Sequence, residues 1–104
     1  MTWKHTNDPP LLILTSLAGG AKHGHALLKD IEAFAGVSLG PGALYGAITR
    51  LEQRGLIEPL ASDDRRRPYR LTGAGAANLA ATVTELDRIL DAGRTRLDLA
   101  GGVT

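Results

Sequence analysis

Cysteine is missing altogether from this chain of 104 residues. That excludes disulfides, thiolate nucleophiles, Cys-ligated zinc and Cys-ligated iron–sulfur clusters. It also excludes a secreted disulfide scaffold, and a cytoplasmic location is the expectation. Charge of one sign is missing too. Twelve Lys and Arg face 11 Asp and Glu, a formal net charge of +1, so bulk positive charge is no argument for a nucleic-acid partner. Aromatic residues number only four, Trp3, Phe34, Tyr45 and Tyr69, which limits a large private core; chains this short often gain stability by pairing. Long apolar runs are absent as well. The uncharged stretch from Pro9 to Ala21 is thirteen residues, short of the ~20 that cross a bilayer. It follows Asp8 rather than a basic leader, so neither a membrane span nor a signal peptide is expected.

What remains is ordinary globular material, 43% hydrophobic and 22% charged, punctuated by Pro and Gly into four helices and one hairpin. The first helix is expected from Pro9 to Ala18, capped by Asp8, with Pro9 in the first turn where a missing N–H costs nothing; Gly19-Gly20 stops it. A second runs from Gly24 to Ala35, with Ala26, Leu27, Ile31, Phe34 and Ala35 on one apolar face and Gly36 as its end. The third starts at Pro41 and stops at Gly55. Leu44, Ile48 and Leu51 form its narrow apolar stripe. Leu56 to Leu60 and Tyr69 to Thr72 read as two short strands, with Pro59 and Pro68 at the ends of a ribbon rather than in a central sheet. Thr72 caps the last helix, expected from Gly73 to Ala100. There Ala76, Leu79, Val83, Leu86, Leu90, Gly93 and Leu97 recur at spacings of three and four, a heptad seam that predicts a homodimer.

Three short helices, a ribbon and a long final helix predict a mainly α fold with a small β-hairpin: a winged helix-turn-helix over residues 8–72 and a C-terminal dimerisation helix over 73–100. A DNA major groove is ~12 Å wide and admits one helix, which needs a buried stripe to hold it and an outward face to read base edges. Here the outward face carries Pro41, Gly42, Ala43, Tyr45, Gly46, Thr49 and Arg50. Its two glycines weaken the helix by ~1 kcal/mol each but let bulky groups approach closely. The loop Asp63-Asp64-Arg65-Arg66-Arg67 supplies focused charge. Arg65, Arg66, Arg67 and Arg70 place four guanidiniums in six residues, and neutralising phosphates is the sequence-independent part of DNA affinity. Lys22 and His23, at the entry to the second helix, are further candidates for phosphate contact.

The stretch Gly42-Ala43-Leu44-Tyr45-Gly46-Ala47-Ile48-Thr49-Arg50-Leu51-Glu52-Gln53-Arg54-Gly55-Leu56-Ile57, with Arg65-Arg66-Arg67-Pro68-Tyr69-Arg70-Leu71-Thr72-Gly73-Ala74-Gly75 and Lys22-His23-Gly24-His25-Ala26-Leu27, resembles the PadR family of transcriptional regulators. The likeness covers residues 10–98. It implies a bacterial dimeric repressor on a pseudo-palindromic operator, often released by a small aromatic effector, and it resembles the small subfamily with a single C-terminal dimerisation helix. Ala43 stands where the family usually has Thr or Ser, and His25 where it usually has Tyr. Some members carry a Trp in the final helix that sandwiches flat ligands; the only Trp here is Trp3, at the other end of the chain.

Other chemistry finds little support. Ser16, Ser38 and Ser62 are the only serines, and none sits in a Gly-x-Ser-x-Gly turn, so no enzyme is expected. His23 and His25 are spaced to point to opposite sides of a helix, and with His5 they make no metal site; no cofactor is expected. Gly73-Ala74-Gly75-Ala76-Ala77 lacks the third glycine and the βαβ setting of a phosphate loop. Two alternatives stay open, both without DNA binding. One is a protein-interaction module on the same fold, motivated by Ala43 and by Asp63-Asp64 beside the arginines. The other is a ligand-sensing module with its pocket between the first and last helices across a dimer.

Overall fold

The structure is a computed structural model that describes residues 8–62 and 66–101. Arg65, Trp3 and His5 lie outside them. The element order is α1 (Pro9–Ala18), α2 (Gly24–Ala35), α3 (Pro41–Gln53), β1 (Ile57–Pro59), β2 (Tyr69–Leu71) and α4 (Gly73–Leu99). This is a winged helix-turn-helix with a long C-terminal helix. Pro and Gly set the boundaries as expected. Pro sits in the first turn of α1 and of α3, and Gly36 closes α2 in the left-handed conformation, φ 67°, which any side chain would strain.

Two expected details differ. Asp8 begins α1 through its backbone, its carbonyl accepting from Leu12 N–H at 3.1 Å, while its carboxylate makes no cap bond. Phe34 is not on the buried face of α2. It is 47% exposed and shares the helix's last turn with the exposed Glu32 and Ala33, so burial falls to Ile31 and Leu27, one and two turns earlier.

The core is aliphatic. Ile13, Leu27, Ile31, Leu44, Ile48, Leu51 and Ile57 are its largest fully buried side chains, contributed by α1, α2, α3 and β1. Each such side chain contributes ~1.5–3 kcal/mol through removal from water. One buried polar residue, Ser16, is satisfied: its hydroxyl donates to Asp30 Oδ2 at 2.5 Å and so ties α1 to α2.

The two strands pair antiparallel, with Ile57 opposite Leu71, Glu58 opposite Arg70 and Pro59 opposite Tyr69. The segment before α2 joins them. Lys22 N–H donates to Tyr69 O at 3.1 Å, and Tyr69 N–H donates to Lys22 O at 2.9 Å, so β2 is bridged on its other side too. That pairing holds the wing against the start of α2.

α4 leaves this body. Of its 27 residues only Gly75 and Leu79 are buried, and the molecule extends 58 × 26 × 19 Å. At 1.5 Å per residue the helix is about 40 Å long, so most of it projects beyond the core. Its root is fixed by backbone. Thr72 N–H donates to Leu56 O at 3.1 Å, Thr72 Oγ1 donates to Gly55 O at 2.6 Å, and Gly75 N–H donates back to Thr72 Oγ1 at 3.0 Å, the expected cap. Gly75 lies against the Leu56 carbonyl where no Cβ would fit.

Candidate nucleic-acid interface

α3 is held as its stripe predicts. Leu44, Ala47, Ile48 and Leu51 are all at most 2% exposed. The opposite side carries the exposed Pro41, Gly42, Ala43, Tyr45, Thr49 and Arg50, with Gly46 half-buried. Thr49 Oγ1 donates to Tyr45 O at 2.9 Å, so its proton is used within the helix and its lone pairs face outward. Arg50 Nη1 lies 3.6 Å from where a Cβ on Gly46 would sit. The glycine gives the guanidinium room to lie along the helix.

Beside this face, residues from three elements meet. His23, Gly24, His25, Tyr45, Arg66, Arg67 and Tyr69 line a concavity of about 490 Å³ between the start of α2, the first half of α3 and the wing. Four expected site residues are thus brought together: His23, Tyr45, Arg66 and Arg67. Sequence reasoning does not reach Gly24, His25 and Tyr69 as site residues. The Tyr45 phenol lies over Gly24, so a Cβ there would require that exposed side chain to shift. Tyr69 has its hydroxyl pushed above its ordinary pKa, first by burial and then by the negative charge of Glu52.

His23 is the N-cap of α2, its Nδ1 accepting from Ala26 N–H at 3.3 Å. Nδ1 is therefore an acceptor, and in the neutral ring Nε2 carries the proton. His23 and His25 do not point to opposite sides. Because His23 is extended, φ −82° and ψ 168°, rather than helical, the two rings lie parallel, 6.5 Å apart. Among the described residues no cluster of three or more His, Cys, Asp or Glu could hold a metal.

Two basic residues are spent elsewhere. The Lys22 ammonium turns away from the concavity: it donates to Ser16 O at 2.6 Å and Gly20 O at 3.2 Å, and lies 3.9 Å from Asp30. In this position the Lys22 ammonium braces the end of α1, where helix carbonyls attract a cation. Arg70 pairs with Glu58 across the hairpin at 2.6 Å.

On the seam of α4 the heptad positions divide. Leu79 is covered by its own core at 8% exposure, whereas Val83, Leu90 and Leu97 are each more than half exposed; Leu86 is half-buried. Among the described residues, no helix is long and apolar enough to cross a membrane.

A profile described as the transcriptional regulator PadR-like family matches residues 13–81. A 37.1 kDa protein of transposon TN4556 from Streptomyces fradiae is 44% identical over 84 residues, 81% of this chain and 24% of that protein. The transcriptional activator GvpE2 of Halobacterium salinarum is 36% identical over 70 residues, 67% of this chain and 35% of that protein. The chain thus spans about a quarter to a third of the length of these relatives. Among solved structures, a PadR family transcription regulator from Clostridium difficile R20291 superposes with a TM-score of 0.77 at 24% identity, covering 86% of this chain and 97% of that one. RosR of H. salinarum gives 0.68 at 26%, covering 89% and 92%.

Proposed function

This chain belongs to the PadR-like family of transcriptional regulators, and from that premise we propose that it is a homodimeric, sequence-specific repressor of double-stranded DNA. The observation that carries the reading is the two-sidedness of α3: four side chains lock one face into the core, while a face of small and polar residues stands exposed beside the wing arginines. Each protomer inserts α3 into one major groove, with Tyr45, Thr49 and Arg50 on base edges, and Pro41, Gly42, Ala43 and Gly46 permitting close approach. Arg65, Arg66 and Arg67 bind flanking phosphates. Val83, Leu86, Leu90 and Leu97 of the projecting α4 pair with a second copy and set the reading heads ~34 Å apart, or a multiple of it, on a pseudo-palindrome. A small aromatic effector would seat in the concavity between α1 and α4. That hollow, lined in part by Leu11, Leu14, Arg54 and Asn78, measures about 160 Å³, below the ~300–1,000 Å³ of ordinary ligand pockets, so the partner protomer must complete it.

Footprinting on the DNA upstream of the gene is the direct test, with half-site spacing as the readout. Changing Arg65, Arg66 and Arg67 together to Ala should lower the log–log salt slope of binding by roughly 0.9 for each phosphate that is no longer neutralised; an unchanged slope refutes the wing's role. Tyr45→Ala should weaken specific binding more than non-specific binding. Repression rather than activation is read by a promoter–reporter fusion with and without the protein.

A further inference from the structure

We infer that the concavity between α2, α3 and the wing is a seat for one DNA backbone phosphate, and that His25 takes up a proton when it is filled, so that duplex affinity rises as pH falls. This rests on the DNA-binding reading above and adds to it a residue and a regulation.

The hollow has the chemistry of a phosphate seat. Arg66 and Arg67 line it from the wing, the Tyr45 phenol from α3, and Tyr69 from β2. Gly24, which opens α2, forms part of the wall, so the positive end of that helix faces the same space. Its 490 Å³ is more than a phosphate group needs, and it lies beside the face of α3 that enters the groove.

His25 is the group whose protonation the seat can control. Its side chain is exposed and stands parallel to His23, and no hydrogen bond among the described residues engages its ring nitrogens. Among the described residues, those lining the hollow with it are His23 from the approach to α2, Tyr45 from α3, Arg66 and Arg67 from the wing and Tyr69 from β2. The negative charge of Glu52 acts on Tyr69. His23 is a poor candidate for the same role: a second proton on its ring would turn Nδ1 from acceptor to donor and break the bond from Ala26 N–H. Two parallel imidazolium rings would also repel each other. The proton therefore goes to His25, where an imidazolium adds one donor and one positive charge to a bound phosphate. Imidazole is the side chain that makes this change near neutral pH.

The test is anisotropy titration of the full-length protein with a mixed-sequence 20-bp DNA duplex at low salt, from pH 6 to pH 8. One proton taken up on binding makes affinity severalfold tighter at pH 6 than at pH 8. His25→Gln should abolish most of that dependence. His25→Lys should bind equally tightly at both ends. His23→Asn, which keeps a capping oxygen, should retain the wild-type slope with pH. Arg67→Ala should weaken binding at every pH and reduce the salt slope. If the wild-type protein binds the duplex but His25→Gln shows the same pH profile, the inference is overturned while the DNA-binding reading stands. If no duplex binds even at pH 6, both fall.

Discussion

Gly75→Ala is a small change that should have a large effect. The added methyl would lie inside the Leu56 carbonyl group, with a Leu71 methyl carbon 3.3 Å away. Backbone cannot swing aside as a side chain can, so α4 must move off the Leu56 carbonyl or Leu56 must leave its place. Either motion strains what fixes the root of the helix: the Thr72 N–H bond to Leu56 O at 3.1 Å and the Thr72 cap on Gly75 at 3.0 Å. Overpacking costs ~1–3 kcal/mol, a lost cap ~1 kcal/mol and a weakened backbone bond ~1 kcal/mol. The better helix propensity of Ala returns at most ~1 kcal/mol. A net loss of about 2–4 kcal/mol is expected, which in a domain of this size lowers Tm by roughly 10–20 °C. Thermal and urea unfolding followed by circular dichroism measure it. Gly73→Ala, two residues earlier with nothing within 4 Å of its Cβ position, is the control and should stay within ~0.5 kcal/mol. A Gly75→Ala protein as stable as the parent would show that the close approach between α4 and the Leu56 carbonyl is not a fixed feature of the fold.

Two further outcomes are expected. Val83→Glu with Leu90→Glu alters two side chains that are each 53% exposed in the protomer, so the far-ultraviolet spectrum should be unchanged while sedimentation shows a shift from dimer to monomer; a dimer that survives both changes places the interface elsewhere. The Tyr69 phenol is held above its ordinary value near 10, so the folded state binds that proton more tightly than the unfolded chain does. The resulting stabilisation is complete below about pH 10 and is lost as pH rises through the higher folded value. Tyr69→Phe should flatten the alkaline limb of the stability profile, and an identical limb in both proteins would count against burial of that hydroxyl.

The helices and the hairpin were legible because their ends are written in local chemistry: Pro9, Pro41, Gly36, Gly55 and Thr72 each act within a turn of where they stand. The anchoring stripe Leu44–Ile48–Leu51 was legible for a related reason, since helical period and burial face are the same fact. What could not be read joins residues far apart in sequence. The bridge between Lys22 and Tyr69 uses only backbone atoms, which carry no side-chain signature. Lys22 was legible as a cation near a helix start; that its ammonium serves the carbonyls ending α1 depends on how α1 meets α2. Leu79 has the spacing of a seam residue yet falls on the first turns of α4, which lie against the core. The Tyr45 phenol over Gly24 left a trace, a glycine in the first turn of a helix, but the trace does not name what fills the space.

The formal charge of +1 is a poor guide to DNA affinity in a molecule arranged this way. Screening at physiological salt acts over ~8 Å, so acids along the projecting α4, such as Glu85 and Asp91, count little at the wing. What matters is which cations lie near α3. Lys22 and Arg70 pair with Asp30 and Glu58, and Arg50, Arg66 and Arg67 are exposed on or beside the reading face. A handful of guanidiniums per protomer, with a proton added at His25, neutralises only a few phosphates. One such head supplies little affinity at physiological salt, whereas two heads together approach the ~6–10 phosphate contacts of strongly salt-dependent binders. If the protein binds DNA as proposed, pairing through α4 would serve tight binding as well as the matching of a palindrome, because two heads neutralise twice as many phosphates as one.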